Sequence, residues 1–227
     1  MQTVSSRREL HRSAGARLAG RAALDASGLA AEDIDFLDLY SCFPSAVQIC
    51  AKELGIPLDR QLTITGGMAF AGGPYNNYVL HSTAQMGLLL RRHPGSTGLV
   101  GCISGIATKQ AFCVWAQQPG AAPFAFRDVT DAVTREESPL AVEAGFSGQG
   151  TVAGYTVLHG KDAPPRGIVL ADIGPGRRTV ACTDDERLTT NMQGRDLVGS
   201  SVVIEDGVVA MGSWGGERAR EGVSLTS

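Results

Sequence analysis

Three short stretches carry the residue types that do chemistry. The first is D-L-Y-S-C-F-P at 38–44, where an alternating apolar run ends in Cys42 and Pro44 follows two residues later. Proline suits the first turn of a helix, so the spacing predicts a helix from Pro44 with the Cys42 thiol at its positive end. Backbone N–H groups and the helix dipole at such a place stabilise a thiolate and lower its pKa. A thiol tuned in this way shuttles a proton or acts as a nucleophile. Free cysteine also packs as a small hydrophobe, and position alone leaves both readings open. The second stretch, G-G-M-A-F-A-G-G-P at 66–74, brackets a hydrophobic turn with four glycines, so its backbone can approach a ligand closely. It matches neither a P-loop nor a dinucleotide fingerprint. The third, G-C-I-S-G at 101–105, puts a second cysteine, Cys102, at a strand end beside glycine.

Other reactive side chains read as structural. Cys50 falls mid-helix, while Cys113 and Cys182 fall within strands, and all three are expected in the core. His81 lies in a helical run and reads as a satisfied structural histidine; His11, His93 and His159 read as peripheral. D-D-E at 184–186 opens a candidate helix, where acids complement the dipole. No set of His, Cys, Asp or Glu has metal-ligand spacing, so no metal is expected.

The elements that would position these residues follow from periodicity. Apolar positions at Leu10, Ala14, Leu18, Ala22 and Ala26 predict a helix over 9–27 that stops at Gly28. Residues 33–39 alternate as a strand, with Ile34, Phe36 and Leu39 facing inward. The helix from Pro44 closes at Gly55. A short strand at 62–65 breaks on Gly66-Gly67, and a long helix at 75–92 ends in Arg91-Arg92, two cations that suit its negative end. Strands follow at 97–103 and 109–116. A helix and then β-α-β-α-β-β argues for an α/β sheet with helices on its faces. Ligands of such sheets bind at one edge, beyond the strand ends, so Cys42, Gly73 and Cys102 can meet there.

Downstream of Gln117-Gln118-Pro119-Gly120 strand-like runs dominate, at 151–159, 167–173, 179–183 and 201–204, and Asp206-Gly207 gives a strong hairpin signal. One helical candidate, 184–192, interrupts them. The expectation is a domain over 1–120 and a small OB-like β-barrel over 121–227. Residues 1–123 hold 10 Lys and Arg against 8 Asp and Glu, whereas 124–227 hold 10 against 15. A barrel with net charge −5 and few aromatic residues is a poor holder of nucleic acid. Apolar residues make 43% and charged residues 19% of the 227, the balance of a globular protein. No apolar run is long enough for a membrane span, and the N-terminus lacks a signal-peptide core. Five cysteines without a C-x-x-C pair point to a reducing, cytoplasmic setting.

Together the three stretches resemble the C-terminal half of the thiolase superfamily over residues 8–118. Y-S-C-F at 40–43 is similar to the first signature, N-E-A-F in ordinary thiolases and H-D-C-F in the sterol-carrier type. The glycine-rich stretch resembles G-G-x-x-x-x-G-H-P, and C-I-S-G resembles C-x-G-G. The acidic, β-rich tail resembles the additional C-terminal domain of type 1 thiolase-like proteins. The fold implied is a thiolase-type half domain followed by the OB-like barrel. The implied activity is that of an acetyl-CoA acetyltransferase, making or breaking a carbon–carbon bond beside a coenzyme A thioester, with acyl-CoA as substrate and no cofactor. The match to H-D-C-F favours Cys42 as the acid/base, with Tyr40 and Cys102 beside it. Gly72, Gly73, Pro74, Ser104 and Gly105 would line the substrate.

Four departures qualify what the resemblance implies. Gly73 stands where the family carries a histidine that serves an oxyanion hole, and losing one such donor costs ~10²–10³ in rate. Tyr40 replaces the polar head of the first signature, and Ser104 replaces a glycine of the third. The nucleophilic N-terminal half, with its acylated cysteine, is expected from a parent chain or a separate subunit. The first strand of the half domain is likewise expected to be missing from 1–120. Two other activities follow from these departures: acyl-CoA binding without thiolysis, or an aldolase-like carbon–carbon cleavage with Tyr40 as proton shuttle.

Overall fold

The computed structural model describes residues 3–105, 107–120 and 123–210. They form two compact units, where the sequence reading divided the chain near residue 120. One is His11–Ser138; the other joins the described residues of Gln2–Leu10 to those of Pro139–Ser227.

In the first unit, helix α1 (Ala14–Ser27) starts where the Ser13 side chain accepts the N–H of Ala16 and stops at Gly28, φ 72°. Strand β1 (Phe36–Asp38) leads to α2 (Pro44–Leu54), which has proline in its first turn and ends at Gly55, φ 70°. Gly20 lets α1 lie close on Leu54 of α2. A short helix α3 (Met68–Ala71) and a 3₁₀ turn (Tyr75–Asn77) precede the long α4 (Tyr78–Arg92). Strands β2 (Thr97–Ser104) and β3 (Lys109–Ala116) follow, then α5 (Thr130–Glu136).

The sheet has the order β1-β2-β3. β1 and β2 are parallel, with Leu37 opposite Leu99 and Asp38 opposite Val100, while β2 and β3 form an antiparallel pair. One core joins Leu37, Leu39, Leu99 and Ile103 to Ala16, Leu24, Cys50 and Leu54. A second core joins Val100 to Met86 and Leu90 of α4, with Phe36 and Trp115 against it. β1 is therefore covered on both faces, as is usual for a strand paired in parallel. The expectation of a single inward set is corrected: Leu37 and Leu39 share the α1/α2 side, and Phe36 belongs to the α4 side.

Two other expectations change. Residues 62–65 form no strand; they make one isolated bridge, Asp38 to Thr63, and a Leu39 N–H···O=C bond to Leu62 of 2.9 Å. The N–H of Thr65 is turned onto the Asp38 carboxylate instead of a ladder, and the chain then bends at Gly66 and Gly67, φ 81° and 82°. Cys50 is buried as expected, but Cys113 is exposed and Cys182 half-buried. Cys113 sits opposite Val100 on β3, the edge strand of the three, while α4 lies mainly over β2.

In the second unit, β4 (Ala141–Glu143), β5 (Gly148–Leu158), β6 (Arg166–Gly174) and β7 (Arg177–Thr183) precede helix α6 (Glu186–Gly194). Strands β8 (Ser201–Glu205) and β9 (Val208–Val209) complete it. β5, β6, β7, β9 and β8 close into a five-stranded barrel, and β4 adds to β7 outside the ring. The β8–β9 hairpin turns on Asp206 and Gly207, both at positive φ, the conformation that an Asp-Gly pair favours. Val152, Val169, Ala181, Val202 and Ile204 fill the core with Leu188 and Met192 of α6. Asp185 caps α6 by accepting the N–H of Leu188 at 2.9 Å, so the D-D-E run does serve a helix start.

The Arg178 side chain, 1% exposed, ties the N-terminal segment to this unit. It donates to Asp172 Oδ1 at 2.7 Å, the Arg7 carbonyl at 2.6 Å and the Arg8 carbonyl at 3.3 Å. The Leu140 N–H adds a bond to the Ser6 carbonyl at 2.8 Å.

Candidate active site

β1 ends at Asp38, and the chain continues through Leu39-Tyr40-Ser41-Cys42 to Phe43, the residue before the first turn of α2. Because β1 and β2 run parallel and in register at Asp38 and Val100, their C-terminal ends share one edge of the sheet. Tyr40–Cys42 extends beyond one strand, and Cys102–Gly105 closes the other.

The first and third motifs meet at this edge. Burial, then the nearby Cys42, Cys102 and Tyr78 as anions, push the Tyr40 phenol above its ordinary value. Burial likewise pushes the half-buried Cys102 thiol up. Both groups are therefore neutral near pH 7 and offer hydrogens rather than negative charge. Cys42 is exposed. Cys50, deep in α2, is raised to about 12 by burial and then by Cys42 and Glu53, which makes it an inert core thiol. The Tyr40 ring packs edge-on against Tyr78, centroids 5.5 Å apart.

The second motif joins through its first residues. Gly66 and Gly67 take left-handed backbone that side chains avoid, and a Cβ at Gly67 would stand 3.2 Å from Ser41 Oγ. The N–H of Met68 donates to that same Ser41 Oγ at 3.0 Å. Gly72 and Gly73 are exposed beyond α3, ahead of the half-buried Pro74. A Cβ at Gly73 would meet Met68 Sδ at 3.7 Å. Ser104 and Gly105, φ 63°, are exposed at the β2–β3 turn. The structure thus places Tyr40 near Cys42 and Cys102 and lays Gly67 and Met68 against Ser41 between them, with Gly72, Gly73 and Pro74 one short helix further on.

A polar cluster that the motifs did not signal lies beneath this edge. Asp38, fully buried, accepts from the Thr65 N–H at 3.0 Å, the Thr65 hydroxyl at 2.8 Å and the Ser82 hydroxyl at 2.8 Å. Thr65 Oγ1 lies 2.8 Å from Tyr78 Oη, which lies 3.2 Å from Ser41 Oγ. The one sequence signal was an aspartate between two leucines in an apolar strand. Among the described residues no group of three His, Cys, Asp or Glu is placed to hold a metal ion, and no helix is long and apolar enough to cross a membrane.

Comparison with known proteins gives the same family from two sides, although no family model matches the chain. A 3-ketoacyl-CoA thiolase of Citrobacter koseri is 30% identical over 96 residues, 40% of this chain and 25% of that protein. The crystal structure of a monomeric SCP2-thiolase-like protein type 1 from Mycobacterium smegmatis matches with a TM-score of 0.83 and 30% identity. It covers 92% of this chain and 48% of its own. The chain therefore spans about half the length of the solved relative and a quarter of the curated one. The motif order, the backbone match over nearly the whole chain and the sequence match to a thiolase agree: this chain belongs to the thiolase superfamily.

Proposed function

We propose that the chain supplies the proton-handling part of a thiolase-type acyl-CoA acyltransferase site, with Cys42 as acid/base. The observation that carries this reading is the exposed Cys42 at the sheet edge where Tyr40 and Cys102 gather, just ahead of α2. In the proposed step the C–H bond beside the thioester breaks, its proton passes to Cys42 acting as a thiolate, which becomes the thiol, and the electron pair moves to the thioester oxygen as an enolate. Neutral Tyr40 and Cys102 suit the role of donors to that developing charge. The acylated cysteine of the reaction would come from a further half of the protein. The match of this chain to 48% of a monomeric relative supports that arrangement. Phe43 and Phe70, 69% and 86% exposed beside the signature loops, offer apolar surface for such a half to cover.

We read the barrel as OB-type, because its strands close in the order first, second, third, fifth, fourth, with α6 between the third and fourth. Its acidic balance supports a structural rather than a nucleic-acid-binding role.

Gly73 favours a second reading, acyl-CoA binding without thiolysis, since glycine offers no side-chain donor where the family places a histidine. Thiolysis of acetoacetyl-CoA by the protein carrying this chain, measured beside its Cys42→Ala variant, separates the two. Acyltransfer predicts activity that falls by ~10²-fold or more in the variant. Inactivity of both, with coenzyme A still bound, would establish the second reading.

A further inference from the structure

We propose that Asp38 is a positioning residue, which locks the first signature loop to the second through Thr65, Tyr78 and Ser41. The argument rests on counting hydrogens. A hydroxyl has one hydrogen to donate and lone pairs with which to accept, and a carboxylate only accepts. Thr65 spends its hydrogen on Asp38 Oδ2 at 2.8 Å, so in its contact with Tyr78 it accepts and Tyr78 donates. The phenol hydrogen is then spent, so at 3.2 Å Ser41 donates to Tyr78. Ser41 Oγ in turn accepts the Met68 N–H at 3.0 Å. Every hydrogen in the chain is thus directed by the carboxylate at its end.

The burial of the chain gives this order its force. Asp38 and Ser82 are 0% exposed and Tyr78 is 1% exposed, with Thr65 and Ser41 half-buried beside them, so little water can substitute for a bond lost at the carboxylate or the phenol. The last link joins residue 41, between β1 and α2, to residue 68, just past the Gly66-Gly67 bend. It fixes Ser41 with its hydrogen turned inward, which removes Ser41 as a donor to a ligand and leaves that role to Tyr40 and Cys102. The proposal rests on the acyl-thioester reading for what the loops would hold, but its test needs no substrate.

The test measures amide hydrogen exchange by NMR in the full chain for wild type, Tyr78→Phe, Thr65→Val and Thr65→Ser. Tyr78→Phe keeps the buried ring and its edge contact with Tyr40 but cuts the chain at its middle. Thr65→Ser keeps the hydroxyl that Thr65→Val removes. The expected result is a Met68 amide exchanging ~10-fold faster or more in Tyr78→Phe and Thr65→Val and at the wild-type rate in Thr65→Ser. The amides of Leu99 and Val100 should be unchanged throughout. An unchanged Met68 in both cutting variants, equal loss in Thr65→Ser, or equal acceleration of the β2 amides would overturn the positioning role. Acetyl-CoA binding by wild type, measured by calorimetry, stands apart: its absence would overturn the functional reading and leave the exchange result to judge Asp38.

Discussion

Arg12 grips Glu53 with two nitrogens, Nε on Oε1 at 2.7 Å and Nη2 on Oε2 at 3.2 Å. Glu53 lies in the last turn of α2 and is 4% exposed. The Ser13 N–H adds a third bond at 2.8 Å, and Arg17 stands 3.5 Å from Oε2. Burial by itself would raise this carboxyl, but the Arg12 bond, the Ser13 bond and the two cations together bring it below the usual range. A lowered folded value stabilises the protein above the unfolded glutamate pKa of ~4.3, and that contribution is lost as pH falls through the folded value. Glu53→Gln should cost about 1.5–3 kcal/mol at pH 7 in urea denaturation, with a gap to wild type that narrows as pH falls below the unfolded glutamate pKa of ~4.3. A gap independent of pH would refute this account.

Cysteine reactivity should follow exposure. Cys42 is exposed, whereas Cys50 is buried and its thiol is raised to about 12. Iodoacetamide at pH 8 should label Cys42 in the native protein and reach Cys50 only after denaturation, with peptide mass spectrometry as the readout. Native labelling of Cys50 at a comparable rate would contradict the packing of α2.

Gly67 and Gly28 both have positive φ but differ in surroundings. Gly67 combines φ 82° with ψ 173°, a region all but closed to side chains, and faces Ser41. Gly28 caps α1 with nothing within 4 Å of a Cβ. Gly67→Ala should therefore cost about 1–3 kcal/mol and weaken coenzyme A binding. Gly28→Ala should cost about 1 kcal/mol and leave binding alone. Thermal melts and calorimetry read both, and equal effects on binding would remove Gly67 from the site.

Arg178→Ala should free the N-terminal segment. Its loss leaves the Arg7 and Arg8 carbonyls without their buried donor, at a cost of about 1–3 kcal/mol. Trypsin should then cleave after Arg7 or Arg8 well before it digests the barrel. Cleavage at the wild-type rate would show that other contacts hold the segment.

The parts of this structure that were legible in sequence are those set by local chemistry. Pro44 and Gly55 bound α2 as read, and Asp206-Gly207 makes its hairpin, because caps and tight turns depend on a few adjacent residues. α5 gave no such signal: T-D-A-V-T-R-E has little apolar periodicity, and it packs against α1, where the Ala14 N–H donates to Glu137 and Arg17 pairs with Glu136. Residues 62–65 have strand-like residues, but a carboxylate 27 positions earlier captures the Thr65 N–H. Asp38 carried no local signal of its partners, since Thr65 and Ser82 lie 27 and 44 residues away. Motifs singled out Tyr40, Cys42 and Cys102 as candidates; the buried cluster beneath them depends on the fold.

The clasp of Arg178 on the N-terminal segment also bears on how the chain is made. Residues 7 and 178 are 171 positions apart, and the α/β unit is encoded between them. At about 5–20 residues per second, the segment waits roughly 10–30 s after synthesis for its partner to emerge. The intervening unit can complete its own contacts on the ribosome in that time. The barrel unit, although it owns the earlier-made segment, cannot complete its clasp until residue 178 has been made.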